Sequence, residues 1–233
     1  MASSLAGPIY KNQEVRALAW AIGSPNILSD VSGLHLQPDS FFVDELERAR
    51  PFLAELDADP APLLRHLNQH GHWRVGLYFE RLISFWLTHH PTFVLVCQEI
   101  QIVDKKRTIG ALDLIVETAP GHREHWEIAV KFYLQAANDP VLSAWIGPNK
   151  RDRLDLKTEK MINHQLPLSN HPVSKARLEQ YGVGRITARR GILKGTLCRP
   201  FGRDSADFTS MNANAKTGYW VEAMRVRELL RRY

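Results

Sequence analysis

Two arms of alternating side chains, Gly110-Ala111-Leu112-Asp113-Leu114-Ile115-Val116-Glu117 and Trp126-Glu127-Ile128-Ala129-Val130-Lys131-Phe132-Tyr133, constrain this chain more than any other stretch. Thr118-Ala119-Pro120-Gly121 joins them and reads as the turn of a β-hairpin over Thr108 to Tyr133. Side chains alternate across a strand, so Trp126, Ile128, Val130 and Phe132 form an apolar face while Glu127, Ala129, Lys131 and Tyr133 point the other way. Folding about the turn sets Asp113 opposite Glu127 or Ala129. Aspartate is depleted from strand interiors because it bonds its own backbone and resists burial. An Asp, a Glu and a Lys on one patch of sheet therefore point to chemistry. Two carboxylates can hold a divalent cation, and a lysine beside them can orient or deprotonate a water and stabilise a pentavalent phosphate. The other reading is a solvated hairpin face, with Glu127 and Lys131 in water and Asp113 at a strand end.

A chain of 233 residues, 44% of them hydrophobic, can bury a sizeable core as one α/β domain with decorations. Its most apolar stretches are interrupted by Glu80, Glu99, Asp113 or Lys131, so no membrane span is expected. Met1 to Gly7 lacks the basic and apolar regions of a signal peptide, and a cytoplasmic location is the expectation. Cys97 and Cys198 alone give neither a disulfide framework nor a Cys-rich zinc site. Charge is unevenly divided. Residues 1–120 carry 10 Lys/Arg and 14 Asp/Glu, and residues 121–233 carry 20 and 11, so the net charge passes from −4 to +9. A polyanion such as nucleic acid is one reading of the basic half, and cations dispersed over solvated helix faces the other.

In chain order, the spacing of Val15, Leu18 and Ile22 predicts a helix over Gln13 to Ile22 that stops at Gly23-Ser24-Pro25. Asp39 to Arg50 is a second helix, broken by Pro51. Asp59-Pro60 caps a third that runs through Leu67. Arg74 to His89 carries a wide stripe of Val75, Phe79, Leu82, Ile83 and Trp86, with Glu80 inside it among partly apolar neighbours. Phe93 to Val103 is a strand. Lys150 to Gln165 reads as one helix, with Leu154, Met161, Ile162 and Gln165 inward and Arg151, Lys157, Lys160 and His164 largely elsewhere, a surface suited to a phosphate backbone. Ser174 caps a short helix to Tyr181, and Val183 to Leu197 reads as one or two strands with a kink at Gly191. Arg199 to Gly218 is a polar loop. A last helix with Val221, Met224, Leu229 and Leu230 ends so abruptly at Tyr233 that the expectation is a truncated C-terminus.

A helix with Glu80, a strand, a Gly110-x-x-Asp113 strand, a strand ending in Lys131, then a helix and a further strand resembles the core of the PD-(D/E)XK nuclease superfamily. Leu18-Ala19-Trp20 near Ser24-Pro25, Leu77-Tyr78-Phe79-Glu80-Arg81-Leu82, Glu127-Ile128-Ala129-Val130-Lys131-Phe132-Tyr133-Leu134 and His164-Gln165-Leu166-Pro167-Leu168 resemble a bacterial family of unknown function with a nuclease-like fold. The resemblance implies a restriction-endonuclease-like α/β core over residues 71–233, a central mixed sheet flanked by α-helices, with a helical extension over residues 1–70 packed on it. It makes Asp113 the metal-binding aspartate, Lys131 the catalytic lysine and Glu80 the helix acid that completes the metal shell. Two departures stand out. The usual acid two residues before the lysine is Ala129, and the glutamate often found in Gly-Glu-x-Asp is Ala111. Glu127, one strand repeat of about 6–7 Å from Ala129, is the substitute ligand.

The implied protein is a nuclease dependent on Mg²⁺ or Mn²⁺, held by Glu80, Asp113 and Glu127. Arg151, Lys157 and Lys160 would meet the nucleic acid, DNA above all, with no membrane partner and a homodimer left open. The alternative is a catalytically inactive nuclease-fold module that binds nucleic acid or a protein. No Ser-His or Cys-His motif supports a small-molecule hydrolase.

Overall fold

The computed structural model describes residues 10–68 and 74–229. The boundary expected at 70–71, the start of the chain at residues 1–7, Leu230 and the end at Tyr233 lie outside the described residues. Four helices open the chain, α1 (Gln13–Gly23), α2 (Asp39–Ala58), α3 (Ala61–Asn68) and α4 (Val75–Thr88). Asn12 starts α1 by accepting the Glu14 and Val15 N–H groups on its side-chain oxygen. Asp59 does the same for Ala61 at the head of α3. The break expected at Pro51 is absent, and α2 runs through it to Ala58. Pro51 faces solvent. Its lost hydrogen bond and clash cost ~3 kcal/mol, which burial of Leu53 and Leu56 beyond it offsets, at about 1.5–3 kcal/mol for each large apolar side chain.

The strands β1 (Val94–Asp104), β2 (Arg107–Ala119) and β3 (His122–Gln135) form an antiparallel meander. The short β4 (Trp145–Ile146) pairs with the end of β3. After it come α5 (Leu154–Lys160), a π-helical turn Met161–Gln165, a 3-10 segment Leu166–Asn170 and α6 (Pro172–Gln180). Then β5 (Ala188–Pro200) lies parallel to β3, β6 (Thr217–Trp220) lies parallel to β5, and α7 (Ala223–Leu229) follows. The result is an α/β architecture in which a six-stranded mixed sheet, ordered β1-β2-β3-β5-β6 with β4 on β3, is flanked by helices. No helix among the described residues is long and apolar enough to cross a membrane.

The two faces of β3 bury different cores. Trp126, Ile128 and Val130 pack with α1 to α4, while Tyr133 and Ala129 face Leu154, Met161, Trp145 and Leu193. Phe132, expected inside, is 44% exposed, because the helical layer ends at Val130. A smaller core joins Ile100, Ile102, Leu112 and Ile115 to Leu178 and Val183 at α6.

Several further expectations are corrected. Helix α6 is capped by His171, whose Nδ1 accepts the Val173 N–H, and not by Ser174, which is buried. Strand begins at Ala188 instead of Val183, and part of the expected polar loop is β6. Gly191 pairs regularly with Glu127, and Leu36 and Met161 crowd the place of its missing side chain. The irregular residue is Gly195. Its φ is +146°, and a Cβ there would stand 1.7 Å from the Lys131 carbonyl oxygen.

Lys194 ties the layers together. It is fully buried, its Nζ donates to the Ala21 and Ile22 carbonyls at 2.6 and 2.9 Å, and it sits 3.9 Å from the centre of the Phe42 ring. An amino donor at the C-terminus of α1 satisfies carbonyls that have no helical partner, and burial holds the Lys194 pKa well below its ordinary value.

Candidate active site

Strands β2 and β3 are paired from Ala119↔His122 up to Leu114↔Trp126. Beyond that pair β2 bonds to β1 and β3 bonds to β5, so the sheet forks. One register step past the last pair, Asp113 comes beside Glu127. Its Oδ2 accepts the Ile128 N–H at 3.0 Å, a donor that β2 no longer meets with a carbonyl. The fork thus explains an aspartate inside a strand, since its side chain does the work of a missing backbone acceptor. In the register of β1, Glu99 lies across from Asp113, with a left-handed φ of +52° that interrupts the ladder.

Glu127 is fully buried. Its Oε1 accepts the His125 Nε2–H at 2.9 Å, and its Oε2 accepts the Gln165 side-chain N–H at 2.6 Å. Lys157 Nζ donates to the other end of the Gln165 amide at 2.8 Å. Burial pushes the His125 imidazole down to about 4, so at neutral pH it is an uncharged donor and no counter-ion. From the other side α4 brings Glu80, which lines a cleft of about 350 Å³ with Asp113, Glu99, Gln98, Ser84 and Arg81.

All three acids titrate high. Burial first, then the neighbouring Glu127 charge, pushes Asp113 up to about 7. Burial raises Glu127 to about 7 as well, and Glu80 reaches about 7 through burial and the charges of Asp113 and Glu99. Asp113 and Glu127 behave as one coupled pair that shares a proton near neutrality. Lys157 is held below its ordinary pKa by burial, even though Glu127 and Asp113 favour its charge.

Glu80 thus shares the cleft with Asp113, and Asp113 neighbours Glu127, but the three expected ligands do not converge as one metal-holding group among the described residues. Lys131 keeps to the face of Glu127 and Tyr133, but its Nζ is engaged by Asp152 Oδ2 at 2.5 Å, and Tyr133 OH donates to the other Asp152 oxygen at 3.1 Å. The ammonium that faces the carboxylates is Lys157. Read as a surface cation, it is instead turned inward, while Arg151 and Lys160 are exposed. Its spacing carried the signal. Lys157 is three residues after Leu154 and four before Met161, both fully buried, so helical periodicity sets it at the edge of the inner face. The single helix expected over Lys150 to Gln165 starts at Leu154 and passes into a π turn, which carries Gln165 to Glu127.

Among the described residues, no three His, Cys, Asp or Glu side chains form a group that could hold a metal ion. What is present is an adjacent pair of carboxylates, Glu127 fully buried and Asp113 half-buried. Hard oxygen donors of that kind suit Mg²⁺, which is commonly held by one or two carboxylates with water and substrate phosphate oxygens completing its octahedron.

A family model described as "Domain of unknown function (DUF1853)" matches residues 16–232. The chain belongs to this family. No curated protein and no solved structure matches it. The DUF1853 match covers every site residue described above, from Glu80 to Gln165.

Proposed function

We propose that this DUF1853 chain is a divalent-metal-dependent nuclease that hydrolyses phosphodiester bonds at the fork between β2 and β3. The observation that carries the reading is the pairing of Asp113 with Glu127. Two carboxylates, Glu127 fully buried and Asp113 half-buried and both pushed up to about 7, stand side by side with one partly desolvated ammonium facing them. Such a pair is electrostatically costly when ionised, and a divalent cation would relieve it.

Asp113 and Glu127 would hold Mg²⁺ or Mn²⁺, with Glu80 contributing through water. The metal would supply Lewis acidity and a nucleophilic water. Lys157, its pKa lowered, can give a proton to or take one from a reacting oxygen and stabilise charge on a phosphate. Gln165 holds Lys157 and Glu127 in one hydrogen-bonded line. The order of elements also supports the superfamily resemblance: a helix with an acid, three antiparallel strands, a helical crossover and a parallel fourth strand.

In this geometry Glu127 supplies the acid missing at Ala129, and Lys157 from α5 takes the role expected of Lys131. The catalytically silent module is the second reading. The observation that favours it is the ion pair between Lys131 and Asp152, which occupies the expected catalytic lysine. The test is cleavage of plasmid DNA and of single-stranded RNA by the purified chain with Mn²⁺, beside Glu127→Gln. Cleavage by wild type that Glu127→Gln abolishes supports the nuclease. Absence of both cleavage and calorimetric Mn²⁺ binding in wild type would overturn it in favour of the silent module.

A further inference from the structure

At the far end of the β1–β2 ribbon, Val103↔Thr108 and Asp104↔Arg107 are the last pairs, and Lys105 and Lys106 alone make the turn. Their φ values are +44° and +68°. A two-residue hairpin turn with both φ positive is type I′, the turn that favours Asn-Gly. Lysine carries a Cβ that disfavours this conformation, and two in a row is the costly choice for a hairpin. The tip is also bare. Lys105, Lys106, Arg107 and Thr108 are exposed, and Val103 and Ile109 are 48% and 38% exposed. Among the described residues no ion pair engages the three cations. Asp104 is the one acid between positions 103 and 109.

The ribbon is a free arm with a fixed base. Its lower part is anchored by Ile100, Ile102 and Leu112 against α6, and Leu168 closes on Gly110. Above that, no strand covers either edge of the pair among the described residues. The same strand carries Asp113, six residues from Arg107, or about 20 Å along an extended chain.

Resting on the nuclease reading, we propose that this tip is a clasp for double-stranded nucleic acid, entering a groove beside the phosphate that sits at Asp113. A two-stranded ribbon is one of the elements a major groove admits, and about 20 Å is a little over half a turn of duplex. Three adjacent cations meet phosphates on the groove's rims. The tip has no aromatic side chain between positions 103 and 109, so it lacks the stacking platform by which single strands are held. The strained lysine pair is retained because Asn-Gly, the easier turn, would present no charge.

Lys105→Asn combined with Lys106→Gly tests this, because it installs the favoured turn and removes two charges. Binding of wild type and variant to a labelled duplex of about 20 base pairs, and to one of its strands, is measured by anisotropy in chelator over a salt series. The variant should melt no lower than wild type, bind the duplex about tenfold more weakly at low salt and lose about 2 from the slope of log affinity against log salt. Its affinity for the single strand should change much less. Equal loss on both ligands overturns the duplex clasp in favour of plain phosphate attraction. Unchanged duplex binding by a folded variant also overturns it, while metal-dependent cleavage by wild type keeps the nuclease reading. A wild type that binds neither ligand overturns the clasp, and the cleavage assay then decides the nuclease reading separately.

Discussion

Asp113→Asn removes one charge from the coupled pair and keeps the shape, and its amide oxygen can still accept the Ile128 N–H. In the folded chain the Asp113 carboxyl is pushed from 3.8 up to about 7. A raised folded pKa means that the native state holds the proton more tightly than the unfolded chain. The associated stability is fully present below the unfolded value and is lost as pH rises through about 7. About three units at 1.36 kcal/mol each give roughly 4 kcal/mol, shared in part with Glu127 because the two titrate together. The asparagine variant has no such loss. Its stability relative to wild type should therefore rise by about 3 kcal/mol between pH 4.5 and 8.5, and at pH 8.5 it should be the more stable protein. Urea unfolding at both pH values, without divalent metal, measures the difference. Excess Mn²⁺ at pH 8.5 should then stabilise wild type and leave the variant unmoved. A pH-independent difference, or a variant less stable than wild type at pH 8.5, would refute the account of the pair as an ionisation strained by burial.

If Lys157 is the ammonium that serves the site, Lys157→Met should lower cleavage by about 10²-fold or more, with little change in substrate affinity. Lys131→Met should lose about 1 kcal/mol of stability or less, because its pair with Asp152 is partly solvated, and should retain most cleavage. The reverse pattern would return the role to Lys131. Lys194→Met keeps the volume inside the core but leaves the Ala21 and Ile22 carbonyls without a donor, so urea unfolding should show a loss of about 1–3 kcal/mol. No change there would mean that those carbonyls find water or another donor.

The hairpin was legible because alternation of apolar and polar residues is the most direct record of a strand. Leu114 and Val116 share a core with Trp126, Ile128 and Val130 as the alternation predicts, while Leu112 turns to the smaller core at α6. Glu80 was legible for a similar reason, as a charge inside an apolar helical stripe. The fork was not, because it depends on where two strands stop pairing, and nothing local to Asp113 or Ile128 says that a side chain will stand in for a carbonyl. Lys157 stands at regular helical spacing from Leu154 and Met161, so its inward edge is in the pattern and only its charge suggests the surface, whereas the reach of Gln165 to Glu127 depends on the π turn at Met161, which no local signal announces. Pro51 misled in the opposite sense. A local breaker was overridden by the apolar side chains on both sides of it, which is a tertiary effect. The lysine pair at positions 105 and 106 hides its turn, since the usual Asn-Gly signal is missing.

Lys194 has a consequence for how the chain comes to be folded. Its amino group closes α1 from a position 172 and 173 residues away in sequence. During synthesis, the opening helices wait for a strand that emerges near the end, so this closure is among the last long loops to form, and contacts of such separation are slow. Any fragment that stops short of β5 leaves α1 with open carbonyls and takes Ile192 from the core shared by α1 to α4. If the helical extension and the sheet depend on each other in this way, a cut between them at residue 70 should yield two unfolded pieces instead of two domains.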